Sequence, residues 1–341
     1  MKKTERYTYI LLAFLLMVGV MLYLKLDAYG FWIDVAFAGL LWLTLVIALK
    51  CVCNYIERRG VKARIKRIIA LTVDIIEIVA FLFAFIYCYQ DVALYHPNSD
   101  PASRQYLLSQ RDFVEITVED GNKTYVGYMR LRNDVDPSPT VIMFIGNAQN
   151  AAQTMASMDA MKAWTSFPGY NVLIMDYPGY GLSDGKPSGG SISREALLTY
   201  DFVSDLPYVD ANRIIIGGFS IGTGPAAYLA ANRDVDGLFL LAPYASGHDL
   251  YNSVLPIFHG PMRLLVKSKF PSYKYAPSIT APVLIVASKD DELVPFASSE
   301  RLTTFFRSEL TFVTLSGVKH NSIFYSKTVL DSIRSFLESI Q

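Results

Sequence analysis

Five runs in the second part of the chain are continuously apolar: 141–145 (VIMFI), 172–175 (VLIM), 214–216 (III), 238–241 (LFLL) and 283–287 (VLIVA). A strand with one wet face alternates apolar and polar residues, so a strand apolar throughout must be covered on both faces, as in a parallel sheet. Helical patterns at 151–164, 193–204, 224–232 and 297–306 lie between or after these runs, and Leu310–Leu315 supplies a last strand. Residues 113–118 and 124–131 read as an opening strand pair that turns at Glu119, Asp120 and Gly121. The alternation predicts an α/β fold with a mostly parallel, doubly wound sheet.

Ligands of such sheets bind beyond the carboxyl ends of the strands. Those ends carry GNAQN (146–150), DYPGYGLSDG (176–185), GGFSIGTG (217–224), SKDDELVP (288–295) and SGVKHNS (316–322). Gly218-Phe219-Ser220-Ile221-Gly222 falls between an Ile-rich strand and a helix. A G-x-S-x-G on such a turn exposes a strained serine, and its glycines avoid collision with the crossing strand and helix. A nucleophilic serine needs a base, and the candidates are His96, His248, His259 and His320. In this strand–turn–helix setting the order is serine, acid, histidine. His96 precedes the serine, and His248 and His259 precede the acidic loop, which leaves His320 after the last strand. Asp291 is preferred over Asp290 as the acid that holds the imidazole, because it opens an acid-x-x-Val-Pro pattern; Asp290 is the alternative, expected instead to bond the loop backbone. The oxyanion is expected to meet the N–H of Ile221, next after the nucleophile, and that of Asn147, with Ala148 as its neighbour.

These motifs resemble the α/β-hydrolase superfamily. The nearer likeness is to a branch of membrane-anchored α/β-hydrolase-domain proteins, serine aminopeptidase-like or lysophospholipase-like. The matching residues are Ile145-Gly146-Asn147-Ala148, Asp176-Tyr177-Pro178-Gly179-Tyr180-Gly181, Gly218 to Gly222, Asp291 to Pro295 and Val318-Lys319-His320-Asn321. The resemblance covers roughly 110–341 and implies the fold and the nucleophile but not the substrate. Ile145 stands where the branch has His, Pro178 where it has Arg, and Lys319 where it has Gly. A short cap is expected at about 243–280, holding Ile257, Phe258, Met262 and Leu264 among Arg263, Lys267 and Lys269. It suits a packed cap helix or a membrane-touching lid.

The first 96 residues are a different material. Three apolar runs predict transmembrane helices at about 7–26, 31–52 and 68–89, each near the ~20 residues that a bilayer core requires. No small-residue cleavage site follows the first, so an uncleaved anchor is expected. This part holds 11 basic and 7 acidic residues, a surplus of four, which the remainder offsets to a net charge of +0. A balanced total gives a nucleic-acid partner no support. The basic tail and the Lys50-to-Arg67 loop are expected in the cytoplasm, which places everything after the third span on the non-cytoplasmic side. Asp74 and Glu77 share a face of that span, where pairing with the basic loop or snorkelling is the simpler account. Three cysteines exclude a disulfide scaffold.

The expected organisation is a membrane anchor (1–96), a linker (97–110) and an α/β-hydrolase domain (111–341). The expected activity is cleavage of an acyl ester, with a lipid or lysophospholipid-like substrate favoured, through Ser220, His320 and Asp291 and without metal or organic cofactor. Thioester or peptide cleavage and acyl transfer use the same residues. A membrane-tethered binding protein on a retired hydrolase fold is the rival of another class.

Overall fold

The computed structural model describes residues 39–40, 43–44, 46–48, 50–51, 63–132, 137–254 and 256–340. The first predicted span, 7–26, lies outside the described residues, as does most of the second, 31–52. The chain divides into two compact units, 1–94 and 95–341.

In the first unit, α1 (Ala63–Leu94) is a helix of 32 residues that contains the whole third apolar run. Ile75, Ile76, Ile78, Val79, Leu82 and Phe83 are exposed on it. Successive residues of a helix turn by about 100°, so these six gather on one broad face, within an arc of about 160°. Arg64, Lys66 and Arg67 crowd the start of α1, and Asp74, Glu77 and Asp91 punctuate the rest. Among the described residues, no helix is long and apolar enough to cross a membrane. Three transmembrane helices therefore remain a reading of the sequence rather than a feature of the described structure.

The second unit is built on an eight-stranded sheet in the order β1-β2-β4-β3-β5-β6-β7-β8. The strands are β1 (Phe113–Asp120), β2 (Lys123–Arg130), β3 (Ser138–Phe144), β4 (Asn171–Met175), β5 (Val209–Phe219), β6 (Gly237–Leu241), β7 (Val283–Ser288) and β8 (Leu310–Leu315). β2 pairs antiparallel with β1 and β4, and the other pairings are parallel. β3, β4, β6 and β7 are buried at every residue, as continuous apolar runs require, whereas the edge strands β1 and β8 are partly exposed. The predicted opening turn is tighter than expected, since Glu119 and Asp120 belong to β1 and pair with Thr124 and Lys123.

After β3 the chain steps outward to β4 and then returns to the other side of β3 as β5. The order reverses there, which opens a crevice beyond the carboxyl ends of β3 and β5.

The predicted linker, 97–110, is not a plain linker. α2 (Pro101–Ser109) occupies most of it, and Leu107 is fully buried. The remaining helices include α3 (Ala151–Ala160), α4 (Gly189–Ser204) and α5 (Thr223–Ala230). The region between β6 and β7, predicted as the cap, holds α6 (Gly247–Val254), a 3₁₀ turn (Gly260–Leu265) and α7 (Ser272–Tyr275). After β7 come α8 (Phe296–Thr303), α9 (His320–Ile323) and α10 (Lys327–Ser339). α10 buries Val329, Ile333, Phe336 and Leu337, the spacing of one helical face.

Candidate active site

β5 ends at Phe219, and a single 3₁₀ turn, Ser220–Gly222, leads into α5. Ser220 holds φ 53°, an unusual value for a residue with a side chain. The flanking glycines explain how the turn closes. A Cβ on Gly222 would lie 2.3 Å from the Phe144 carbonyl oxygen and 2.6 Å from that of Ile145. One on Gly218 would lie 2.8 Å from the Gly222 carbonyl oxygen. Thr223 Oγ1 donates to the Ser220 carbonyl at 2.7 Å and closes the turn from the helix side.

Ser220, His320 and Asp291, chosen from motif, chain order and loop pattern, meet here. Ser220 Oγ is 2.8 Å from His320 Nε2, and His320 Nδ1 is 2.7 Å from Asp291 Oδ2. The second oxygen of Asp291 accepts the N–H groups of Leu293 and Val294 at 2.9 and 2.8 Å, which fixes the carboxylate plane. Phe219 stacks on the His320 ring at 5.3 Å between centroids. His320 and Asp291 are almost wholly removed from water, with side-chain exposures of 4% and 2%. In such low-dielectric surroundings each hydrogen bond of a chain is strengthened by its neighbours. Asp290 does the other job: its Oδ2 accepts the Gly317 N–H at 2.6 Å, tying the acid loop to the loop that carries His320.

Neither His248 nor His259 joins this relay. His248 Nε2 lies 3.0 Å from the Arg263 carbonyl within the cap, and His259 opens the cap's 3₁₀ turn.

The oxyanion candidates lie on both sides of the crevice. Ile221 follows Ser220 in the 3₁₀ turn that leads into α5, where the first amides of a helical segment lack intrahelical partners. Asn147 lies in the loop after β3, and the two loops are in close approach: a Cβ on Gly146 would meet the Phe219 ring at 3.0 Å. Tyr177 Oη donates to the Ile145 carbonyl at 2.6 Å, and Gln149 Oε1 accepts the Gly146 N–H at 2.7 Å.

His96, set aside as a base, is nevertheless at the site. Its backbone N–H donates to Asn147 Oδ1, and its ring Nδ1 lies 3.0 Å from Asn147 Nδ2. Asn98 Nδ2 donates to the Ala148 carbonyl at 2.6 Å. No local motif announces these contacts, because the partners lie about fifty positions apart.

Two buried acids back this side of the sheet. Burial pushes Asp176 up to about 6, against the pull of the Ala151 and Leu182 N–H groups that its carboxylate accepts. Burial likewise pushes Glu195 up to about 8, opposed by the hydroxyl of Thr199. A cavity of about 630 Å³, lined in part by Asp100, Tyr128, Asn150 and Asp176, lies on the Asp176 side of this loop. Ser220 does not line it.

The family model for FrsA-like esterases matches residues 98–241, which include Ser220 and Asn147 but neither Asp291 nor His320. A Mycobacterium tuberculosis protein with no stated activity is 30% identical over 279 residues, covering 80% of this chain and 96% of that protein. The chain belongs to the α/β-hydrolase superfamily. Within it, the alpha/beta hydrolase domain-containing protein 17C of Xenopus laevis is 25% identical over 242 residues, covering 70% of this chain and 74% of its own length. The crystal structure of an α/β-hydrolase from Vibrio vulnificus superposes with a TM-score of 0.60 at 19% identity, covering 76% of this chain and 92% of that one. Over residues 98–241 this α/β-hydrolase is similar to the FrsA-like esterases.

Proposed function

We propose that the protein is a membrane-anchored serine hydrolase that cleaves an acyl ester, with a lipid or lysophospholipid-like substrate favoured. The observation that carries this reading is the continuous relay from Ser220 Oγ through His320 to Asp291, at 2.8 and 2.7 Å. His320 Nε2 takes the hydroxyl proton as Ser220 attacks the acyl carbonyl. Asp291 holds the Nδ1–H and stabilises the imidazolium that forms. The N–H groups of Ile221 and Asn147 receive the oxyanion. His320 then gives its proton to the leaving alcohol, and water repeats the sequence on the acyl-enzyme to release the acid and free Ser220. The cycle needs no metal or organic cofactor.

Anchoring in a bilayer is supported by the three apolar runs and by the broad apolar face exposed on α1. A broad exposed apolar face needs lipid or a protein core against it. The basic tail and loop favour the cytoplasm, so the hydrolase domain is proposed on the non-cytoplasmic side. A lipid substrate is supported by that anchor together with Leu264, 79% exposed on the cap.

The test is hydrolysis of a panel of acyl esters and lysophospholipids by the full chain in detergent. Release of acid that disappears in Ser220→Ala, with long-chain substrates preferred, is expected. A folded wild type that cleaves nothing on the panel contradicts the reading. External protease added to intact cells tests the topology: digestion of the hydrolase domain is expected, and complete protection reverses the orientation.

A further inference from the structure

We propose that the segment 96–98 holds the oxyanion loop in its working shape, with His96 and Asn98 as positioning residues for the reaction at Ser220. This inference rests on the serine-hydrolase reading above.

Ala148 supplies the reason. It holds φ 58°, and a residue with a Cβ keeps that conformation only where its surroundings over-determine it. The φ of Ala148 fixes the 147–148 and 148–149 peptide planes that flank it, while the Asn147 N–H lies one peptide earlier, so its aim depends on how Asn147 itself is held. On the nucleophile side a comparable strain is held by close backbone packing at glycines. On this side it is held by side chains that come from 96–98.

The amide of Asn147 can be oriented from its donors. Asn147 Oδ1 receives the backbone N–H of His96 at 3.1 Å and that of Ala148 at 2.9 Å, and both groups can only donate. Tyr180 Oη also donates to it, at 2.8 Å, and burial lifts that phenol to about 12, which keeps it protonated. The oxygen is therefore fixed, and Nδ2 must be the atom facing His96 Nδ1 at 3.0 Å. An amide nitrogen only donates, so His96 Nδ1 accepts and the ring carries its proton on Nε2. Asn147 is thus gripped through both ends of its side chain.

Asn98 grips the next residue. Its Nδ2 donates to the Ala148 carbonyl at 2.6 Å, while its Oδ1 accepts from Asn150 Nδ2 at 2.9 Å. Its own carbonyl accepts the Gly181 N–H at 2.9 Å. The segment therefore ties the loop after β3 to the loop after β4. Neither His96 nor Asn98 bonds to Ser220 or His320, so their effect on the reaction runs through the aim of the Asn147 N–H.

An amide that drifts from the oxyanion position weakens binding of the transition state and leaves the ground state nearly untouched. The experiment compares full-length wild type, His96→Ala, His96→Gln, Asn98→Ala and Asn98→Asp in detergent. It reads kcat and KM for a p-nitrophenyl acyl ester, affinity for a trifluoromethyl ketone of the same acyl length, and the thermal midpoint. The ketone forms a hemiketal on serine and samples the oxyanion directly. Expected is a parallel fall of about 10- to 100-fold in kcat/KM and in ketone affinity for both alanine variants, with KM nearly unchanged. His96→Gln recovers most of the loss, since its carbonyl oxygen can accept from Asn147 Nδ2. Asn98→Asp keeps the acceptor for Asn150 and replaces the donor to Ala148 with a carboxylate oxygen that repels its carbonyl, so it must show at least the same loss even if Asn98→Ala unfolds. Folded variants with unchanged kcat and ketone affinity overturn the proposal while the hydrolase reading stands. An inert wild type overturns both.

Discussion

Ser220 and Ala148 hold nearly the same unusual backbone angle, φ 53° and 58°, on opposite sides of one crevice. Their loops are in contact, since Gly146 abuts the Phe219 ring and Gly222 abuts the carbonyls of Phe144 and Ile145. The means of support differ. The serine turn is held within its own neighbourhood, by the absence of side chains at Gly218 and Gly222 and by Thr223 three residues on. The loop after β3 is held from afar, by His96, Asn98 and Tyr180. A strained turn can be written into five consecutive residues, or it can be imposed by a segment fifty positions away. The first kind leaves a motif and the second does not.

The largest effect expected outside the nucleophile and its base falls on the acid. Asp291→Asn should lower kcat by about 10⁴-fold, because the imidazole loses the acceptor that sets its tautomer. Asp290→Asn keeps a carbonyl oxygen for the Gly317 N–H and should stay near wild-type activity. Steady-state kinetics on the two variants decides between them, and a dead Asp290→Asn beside an active Asp291→Asn would reverse the assignment.

The next expectation is on stability. Gly222→Ala forces a Cβ to within 2.3 Å of backbone that cannot yield cheaply. A loss of about 3 kcal/mol or more in denaturant unfolding is expected, and a neutral result would mean that the serine turn is not held by local packing.

Behind the opposite loop, Glu195 is buried and pushed up from 4.5 to about 8. A folded-state value raised in this way gives stability that is fully present below about pH 4.5 and lost as pH rises through about 8. Wild-type stability should therefore fall between pH 5 and 8, and Glu195→Gln should flatten that slope in urea melts at the two pH values. An unchanged slope would place the proton elsewhere, with Asp176 next in line.

The smallest expected effect is at Ala148. Ala148→Gly removes the steric cost of the positive φ and should change stability by no more than about 1 kcal/mol, in the stabilising direction. A clear destabilisation in the same melts would mean that the methyl group is wanted for packing, and the contrast between the two loops would blur.

Much of the fold was legible in the sequence for local reasons. Short continuous apolar runs bounded by turn residues read as covered strands, the order serine, acid, histidine selected His320, and the acid-x-x-Val-Pro pattern preferred Asp291 over Asp290 before any geometry. Residues 97–110 were less transparent. Pro97, Ser99, Pro101 and Ser103 read as a linker by composition, yet Asp100 accepts the N–H groups of Ala102 and Ser103 and Pro101 stands in the first turn of α2. Those residues are also the opening of a helix, and only the burial of Leu107 decides which. His96 was illegible for another reason: it bonds to Asn147 and Tyr180, and no spacing rule links them.

Intact-mass spectrometry of the full chain after exposure to a fluorophosphonate tests Ser220 as the nucleophile most directly. One adduct per chain is predicted, mapped to Ser220, absent in Ser220→Ala and formed much more slowly in His320→Ala. A folded wild type that gains no mass, or an adduct that persists in Ser220→Ala, contradicts it.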